Sequence, residues 1–347
     1  MESLALKYRP QSFSDVVSQK SVVTILNKQI ETGEINNCYL FAGPTGTGKT
    51  TIARIFANKI NGGVGTPIEI DGASNNGVSN IRDIISEAKE RSLEAKYKVY
   101  IIDECHQITL AGWNAFLKCL EEPPVYTIFI LCTTDPQKIP STIMNRVMRF
   151  NLTKIPAELI KDRLIYISAL EGFTNYAESC DYIAKLSNGG MRDAIATLDK
   201  CSKYSTNLTI DNVLEVLGNL SYTVFFDLTN ALIDKNEGSI LTIIDNIYSS
   251  GIDLRVFVEQ YLDFVLDLAK YCIFKDIAVT KIPSHLEAIK VNDRPSPRCV
   301  KSVVNFTGSL SFYNSLSVVL LDLKNKLRYD VAPRTTVLAT FIGVIKW

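Results

Sequence analysis

The sequence predicts an α/β domain built on a parallel sheet, followed by chain that is helical throughout. Three observations lead there. Four short apolar runs alternate with longer segments of helical periodicity through the first 150 residues. A glycine-rich loop separates the first run from the helix after it. Strand-like runs then stop after about Phe150.

The four runs are CYLFAG (38–43), PIEID (67–71), KVYIIDE (98–104) and TIFILCTT (127–134). Their near-continuous Ile, Val, Leu and Tyr content fits strands buried on both faces. Strand, helix, strand repetition then argues for βαβ units. Beyond Phe150, residues 152–172 and 176–204 carry apolar side chains at helical spacing, with Pro156 near one start and Asn188-Gly189-Gly190 as a break. This small helical module is expected to end near residues 217–219. The rest is again helical, interrupted by the Pro-containing segment 282–298. The boundaries expected are 1–152 for the α/β domain, 153–218 for the small helical domain and 219–347 for a last helical domain.

At 347 residues the chain has room for two or three domains. Hydrophobic residues make up 46% and charged residues 21%, so the chain can bury a sizeable core. Lys plus Arg and Asp plus Glu are each 37, which removes the bulk basic character of a DNA-coating protein while leaving room for a local basic stripe. The eight cysteines include no C-x-x-C pair, and His106 and His285 are the only histidines, so no zinc is expected. MESLALKYRP has no apolar signal core, and a cytoplasmic, reducing compartment is expected. The longest uncharged run, 302–321, reads as a buried helix pair rather than a membrane span.

GPTGTGKT (43–50) matches G-x-x-x-x-G-K-[ST] in full, after an apolar run and before a helix. Such glycines let backbone N–H groups wrap phosphates, and the helix N-terminus adds partial positive charge. Lys49 is placed to neutralise β- and γ-phosphates and Thr50 to hold Mg²⁺. VYIIDECH (99–106) supplies the partner: Asp103 for Mg²⁺ and Glu104 to polarise the attacking water. His106 by itself reads as a packing or hydrogen-bonding residue. Thr134, at the tip of the fourth run, can sense the γ-phosphate or orient the water. Arg146 could be supplied to a neighbour's nucleotide, and Arg192, after the glycine break, suits an arginine reaching the nucleotide from a lid.

Together these segments resemble the AAA+ clamp-loader ATPases, most closely the gamma/tau subunits of bacterial DNA polymerase III. The matching stretches are KYRPQSFSDVVSQ, GPTGTGKTTIARIFA, EIDGASNNGVSNIRDI, YKVYIIDECH, NAFLKCLEEPP, FILCTTDPQKIPSTIMNRVMRF and GGMRDAIATLD, in order through residues 4–200. The resemblance implies an AAA+ P-loop domain, a helical lid and an oligomerising collar. It implies that Tyr8, Arg9, Pro10, Val16 and Val17 close over adenine. Gly43, Pro44, Thr45, Gly46, Thr47, Gly48, Lys49, Thr50 and Thr51 would cradle the phosphates. It makes Thr50 and Asp103 Mg²⁺ ligands, Glu104 the catalytic base, Thr134 the first sensor, Arg192 the second sensor and Arg146 the arginine finger. Arg82 and Lys118 become DNA-phosphate candidates, and the helix around Ile84 to Arg91 a clamp-contact candidate.

Three departures stand out. The family's four-cysteine zinc insert is replaced by NKINGGVGTP, its Ser-Arg-Cys triplet is Asn145-Arg146-Val147, and the long tau extension is missing from this sequence. A compact version of this kind would suit a bacteriophage. The implied function is the ATPase subunit of a sliding-clamp loader. Its partners would be other loader subunits in a pentameric ring or spiral, the clamp and primer-template DNA. The competing readings are a helicase loader or replication initiator ATPase, and a non-hydrolysing scaffold subunit.

Overall fold

The computed structural model describes residues 2–92, 94–218, 220, 222–274, 280–282 and 310–345. His285, Cys299, nearly all of the proline-containing break at 282–298 and residues 302–309 of the long uncharged run lie outside them. The chain divides into two compact units, Met1–Ile167 with Ile183–Asp199, and Ser168–Tyr182 with Lys200–Trp347.

The first unit is built on five parallel strands: β1 (Cys38–Ala42), β2 (Ile68–Asp71), β3 (Lys98–Asp103), β4 (Thr127–Thr133) and β5 (Met148–Asn151), in the order β2-β3-β4-β1-β5. Its helices include α1 (Leu4–Lys7), α2 (Lys20–Thr32), α3 (Lys49–Ile60), α4 (Val78–Ala88), α5 (Leu110–Glu121) and α6 (Ser141–Met144). Side chains alternate across a strand, so each central strand feeds two cores. Tyr39 and Phe41 of β1, Val99 and Ile101 of β3, and Ile128, Ile130 and Cys132 of β4 pack with Ile52 and Phe56 of α3 and with Val22 and Leu26 of α2. Cys38, Leu40, Tyr100, Ile102, Phe129 and Leu131 pack instead with Ile81 and Ile84 of α4 and with Trp113 and Phe116 of α5. This double covering explains the unbroken apolar runs of β1, β3 and β4.

Two strand expectations are corrected. Residues 67–71 read as a strand buried on both faces, but β2 is an edge strand whose residues alternate between half-buried and exposed. Its charged Glu69 and Asp71 fit that position. The four runs also leave out a fifth strand, β5, at 148–151. β5 forms the opposite edge, with only Phe150 buried and Arg149 bonded to Asn151. Four residues with one buried side chain carry too little apolar pattern to announce a strand.

The helices α7 (Ala157–Leu170), α8 (Tyr176–Leu186) and α9 (Met191–Tyr204) follow, then α10 (Ile210–Leu217), which ends on Gly218 in the left-handed conformation. The glycine break falls between α8 and α9, with Asn188 and Gly189 at positive φ. In the second unit, α11 (Tyr222–Ile233), α12 (Glu237–Ser249), α13 (Leu254–Phe274), α14 (Leu310–Leu327) and α15 (Pro333–Ile345) share an aromatic core of Phe225, Phe226, Phe257, Tyr261, Phe264, Tyr313 and Phe341. Its buried Tyr261 hydroxyl meets Thr229 Oγ1 at 2.9 Å. Residues 310–321, expected within a helix pair, belong to the single helix α14, where Val318 and Leu321 are exposed. Among the described residues no helix is long and apolar enough to cross a membrane.

Phe129 is fully buried, packing edge-on to Phe116 and stacking on Tyr100. Phe129→Ala should therefore cost about 3–5 kcal/mol. Ile68→Ala, on the half-exposed edge strand, should cost about 1 kcal/mol. Denaturant titration read by Trp113 fluorescence in a Trp347→Phe background checks the contrast, and equal costs would contradict the two-sided core.

Candidate nucleotide-binding site

The strand order does the assembling. β3, β4 and β1 are neighbours, so the segments that follow their C-terminal ends meet, although they are far apart in sequence. Ligands of open parallel sheets bind beyond those ends. The loop after β1 is anchored by Gly43 N–H donating to Thr133 O at 3.1 Å. It then turns through Gly46 (φ +74°) and Gly48 (φ +100°) into α3. A side chain at Gly46 would also press on Gly190, 3.0 Å from its Cβ position. Both positions therefore favour glycine. Among the described residues, no protein acceptor meets the backbone N–H groups of residues 45–50. They form a cluster of donors at a helix N-terminus, the arrangement that binds phosphate.

Lys49 opens α3 and is only 7% exposed. Its ammonium donates to Gly43 O at 2.9 Å and Pro44 O at 3.0 Å. Burial lowers its pKa, with Glu104 and Asp103 opposing the shift. Thr47, also buried, donates to Pro44 O. Thr50 Oγ1 donates to Asp103 Oδ2 at 2.7 Å, which sets a hydroxyl and a carboxylate side by side. Two adjacent oxygen donors of this kind suit a hard divalent cation. Glu104 has left-handed backbone (φ +44°), an uncommon conformation for a non-glycine residue and one that clusters at functional sites. Its Oε2 accepts from Thr134 Oγ1 at 3.0 Å.

A cavity of about 510 Å³ lies over this loop. It is lined by Tyr8, Arg9, Pro10, Val16 and Val17, by residues 45–52, by Asp103 and Glu104, and by Arg192. Gly43 and Pro44, whose carbonyls hold Lys49, are not among its lining residues. The start of α9 is fixed to the loop, since Met191 N–H donates to Gly46 O at 3.0 Å. The other expected residues sit elsewhere. Arg146 does not line the cavity; it pairs with Glu121 Oε1 at 2.6 Å. Arg82 and Lys118 are exposed on α4 and α5.

Sequence reasoning missed Arg54, Glu69 and Arg163, which also line the cavity. Arg54 lies one helical turn after Thr50, a spacing that could have revealed it. It pairs with Glu69. Arg163 of α7 donates to Tyr8 O at 3.1 Å, and no sequence signal marks it. Burial, and then Arg54, lower the pKa of Arg9, with Arg192 adding to the effect and Glu69 opposing it. Cations gathered around one cavity repel each other until an anion enters.

Residues 66–156 match the family described as DNA polymerase III, delta subunit, and residues 208–291 match DNA polymerase III subunits gamma and tau domain III. The chain is 36% identical over 292 residues to DNA polymerase III subunit tau of Bacillus subtilis, covering 78% of this chain and 52% of that protein. It is 31% identical over 343 residues to DNA polymerase III subunit gamma of Buchnera aphidicola from Acyrthosiphon pisum, covering 91% of this chain and 95% of that protein. It thus spans about half the length of the tau relative and nearly all of the gamma relative. Among solved structures it is similar in fold to the Thermotoga maritima RuvB Holliday junction branch migration motor, with a TM-score of 0.51 and 21% identity over 74% of this chain and 90% of that one. That likeness is one of fold, and the match over 95% of the Buchnera subunit shows that the chain belongs to the DNA polymerase III gamma/tau family.

Proposed function

We propose that the chain is an ATP-hydrolysing subunit of a bacterial-type sliding-clamp loader, acting in the cytoplasm. The observation that carries this reading is the unspent cluster of amides at residues 45–50 beside the buried Lys49 ammonium. In this reading residues 1–152 bind nucleotide, 153–218 form the lid and 219–347 form the collar. Functional parts need not follow the compact units, because the border between those units cuts through α7, α8 and α9.

The triphosphate would take over from the Gly43 and Pro44 carbonyls as partner of Lys49. The loop amides would fix the phosphates, Arg192 would reach them from the lid, and Thr51 would sit beside them while bonded to Arg9 (3.2 Å). Tyr8, Arg9, Pro10, Val16 and Val17 would enclose the base. Thr50 and Asp103 would hold Mg²⁺, which when bound offsets charge on the phosphate oxygens. Glu104 would accept a proton from the attacking water, with Thr134 fixing its carboxylate. Arg146 would complete the charge at a neighbouring protomer's nucleotide, a role supported by its absence from its own chain's cavity. This is catalysis by positioning and electrostatics. A ring or spiral of such subunits would hold the clamp through the α4 region and primer-template DNA through phosphates, with Arg82 and Lys118 as contacts.

Three outcomes are expected. Lys49→Ala should abolish ATP binding in a filter or calorimetric assay, and a wild-type protein that binds no ATP would favour the scaffold reading. Arg146→Ala should leave ATP affinity intact while turnover falls roughly 10³-fold. Stimulation of turnover by primed DNA should fade steeply with salt, because phosphate contacts release counterions. Flat salt dependence would argue against it.

The direction of the Lys49 shift also fixes a pH effect. Burial lowers its pKa below the ordinary 10.5, and a bound polyanion raises it again. Binding at alkaline pH should therefore take up a proton, and affinity should fall as pH rises toward that value. Calorimetry in buffers of different ionisation enthalpy reads the uptake. Proton release instead would contradict the assigned environment.

A further inference from the structure

His106 reads in the sequence as a packing or hydrogen-bonding residue, but its contacts are more particular than that. Its side chain is 8% exposed, three residues beyond Asp103. Nδ1 lies 3.2 Å from Glu104 Oε2 and 3.1 Å from Thr133 Oγ1. Thr133 is itself fixed: it is fully buried, its carbonyl accepts from Gly43 N–H, and its hydroxyl oxygen accepts from Asp135 N–H. The two threonines that end the fourth run thus approach Glu104 by different routes. Thr134 reaches Oε2 directly, and Thr133 reaches it through the imidazole.

An ionised carboxylate oxygen is an acceptor only, so a ring nitrogen 3.2 Å away is favoured as the one that carries the proton. The opposite tautomer would set lone pair against lone pair. A proton on Nδ1 would have Oε2 at 3.2 Å and the Thr133 oxygen at 3.1 Å as its acceptors. One hydroxyl can hold a partly exposed carboxylate at a distance but leaves it free to rotate. A second donor from another direction removes that rotation. Thr134 Oγ1 bonds Oε2 and His106 Nδ1 approaches the same oxygen, and among the described residues nothing bonds Oε1. That oxygen is left to receive a proton from water.

We propose that His106 is a positioning residue for Glu104. Its Nδ1–H holds Oε2 so that Oε1 faces the attacking water. The proposal rests on the hydrolytic reading of the site, and the experiment separates the two. His106→Leu should lower kcat about tenfold or more, a fraction of what a general base supplies, with KM for ATP and the melting temperature unchanged. His106→Asn should recover most of the loss, because its amide nitrogen can occupy the place of Nδ1. Wild-type turnover no higher than that of Lys49→Ala would overturn the hydrolytic reading and the role of His106 with it. Turnover equal in wild type and His106→Leu, or equally low in Leu and Asn variants, would overturn the positioning role alone. A readout independent of turnover exists because the chain has only two histidines. In a His285→Gln background, a two-bond ¹H–¹⁵N spectrum should show one imidazole protonated at Nδ1, and an Nε2-protonated ring would overturn the assignment.

Discussion

The buried ammonium of Lys49 is the constraint on which the site depends. A charge in that position, without partners, would cost several kcal/mol. The start of the loop meets the cost with two carbonyls, Gly43 O and Pro44 O, that accept from Nζ. That arrangement holds the loop's shape, and among the described residues no protein acceptor meets the amides of residues 45–50. The same residue that stabilises the loop therefore maintains an unmet demand for anion. Arg9, Arg54 and Arg192 add to the demand, and Glu69 and Asp103 reduce it only in part.

The sheet makes this demand local to the groups that could act on a phosphate. With β4 between β3 and β1, the acid-bearing end of β3 and the loop after β1 both lie beside the two terminal threonines of the fourth run. Direct bonds join them: Gly43 to Thr133, Thr50 to Asp103, Thr134 to Glu104. The cores on both faces hold the strands in register, with Ala42 opposite Thr133 and Ile102 opposite Leu131. A shift of one strand would break all these links together, so packing far from the loop sets distances within it.

Much of this was legible in the sequence, and the pattern of what was not is physical. Lys49, Thr50, Asp103, Glu104 and Thr134 announce themselves because each sits at a strand end or helix start, where local sequence and local geometry coincide. Arg192 is legible through the glycine break before it. Arg163 is not, because its bond to Tyr8 O joins residues 155 positions apart, and any long polar side chain on α7 would look the same in sequence. Arg54 and Glu69 come together only once β2 has paired at the sheet edge. β5 was hidden for a related reason, since an edge strand needs few apolar residues. His106 had the right sequence neighbours, but its approach to Glu104 and Thr133 is visible only in three dimensions.

The surroundings of Arg146 show how such a site can be kept waiting. In its own chain the guanidinium holds Glu121 and the carbonyl of Thr142 at the protein surface. Both partners of the ion pair are more than a third exposed. An exposed pair of this kind is worth about 0–1 kcal/mol, and a helix-end carbonyl adds little. Turning the guanidinium toward a neighbouring protomer therefore costs little, and the charge density of a transferring phosphoryl group would more than offset it. By contrast Glu104 accepts a hydroxyl bond from Thr134 within its own fold and has the His106 imidazole 3.2 Å away. In the proposed mechanism the base would be held within one chain and the completing cation loosely at its surface. Hydrolysis would then be limited by the approach of the neighbour, so anything that aligns adjacent subunits would act directly on the rate.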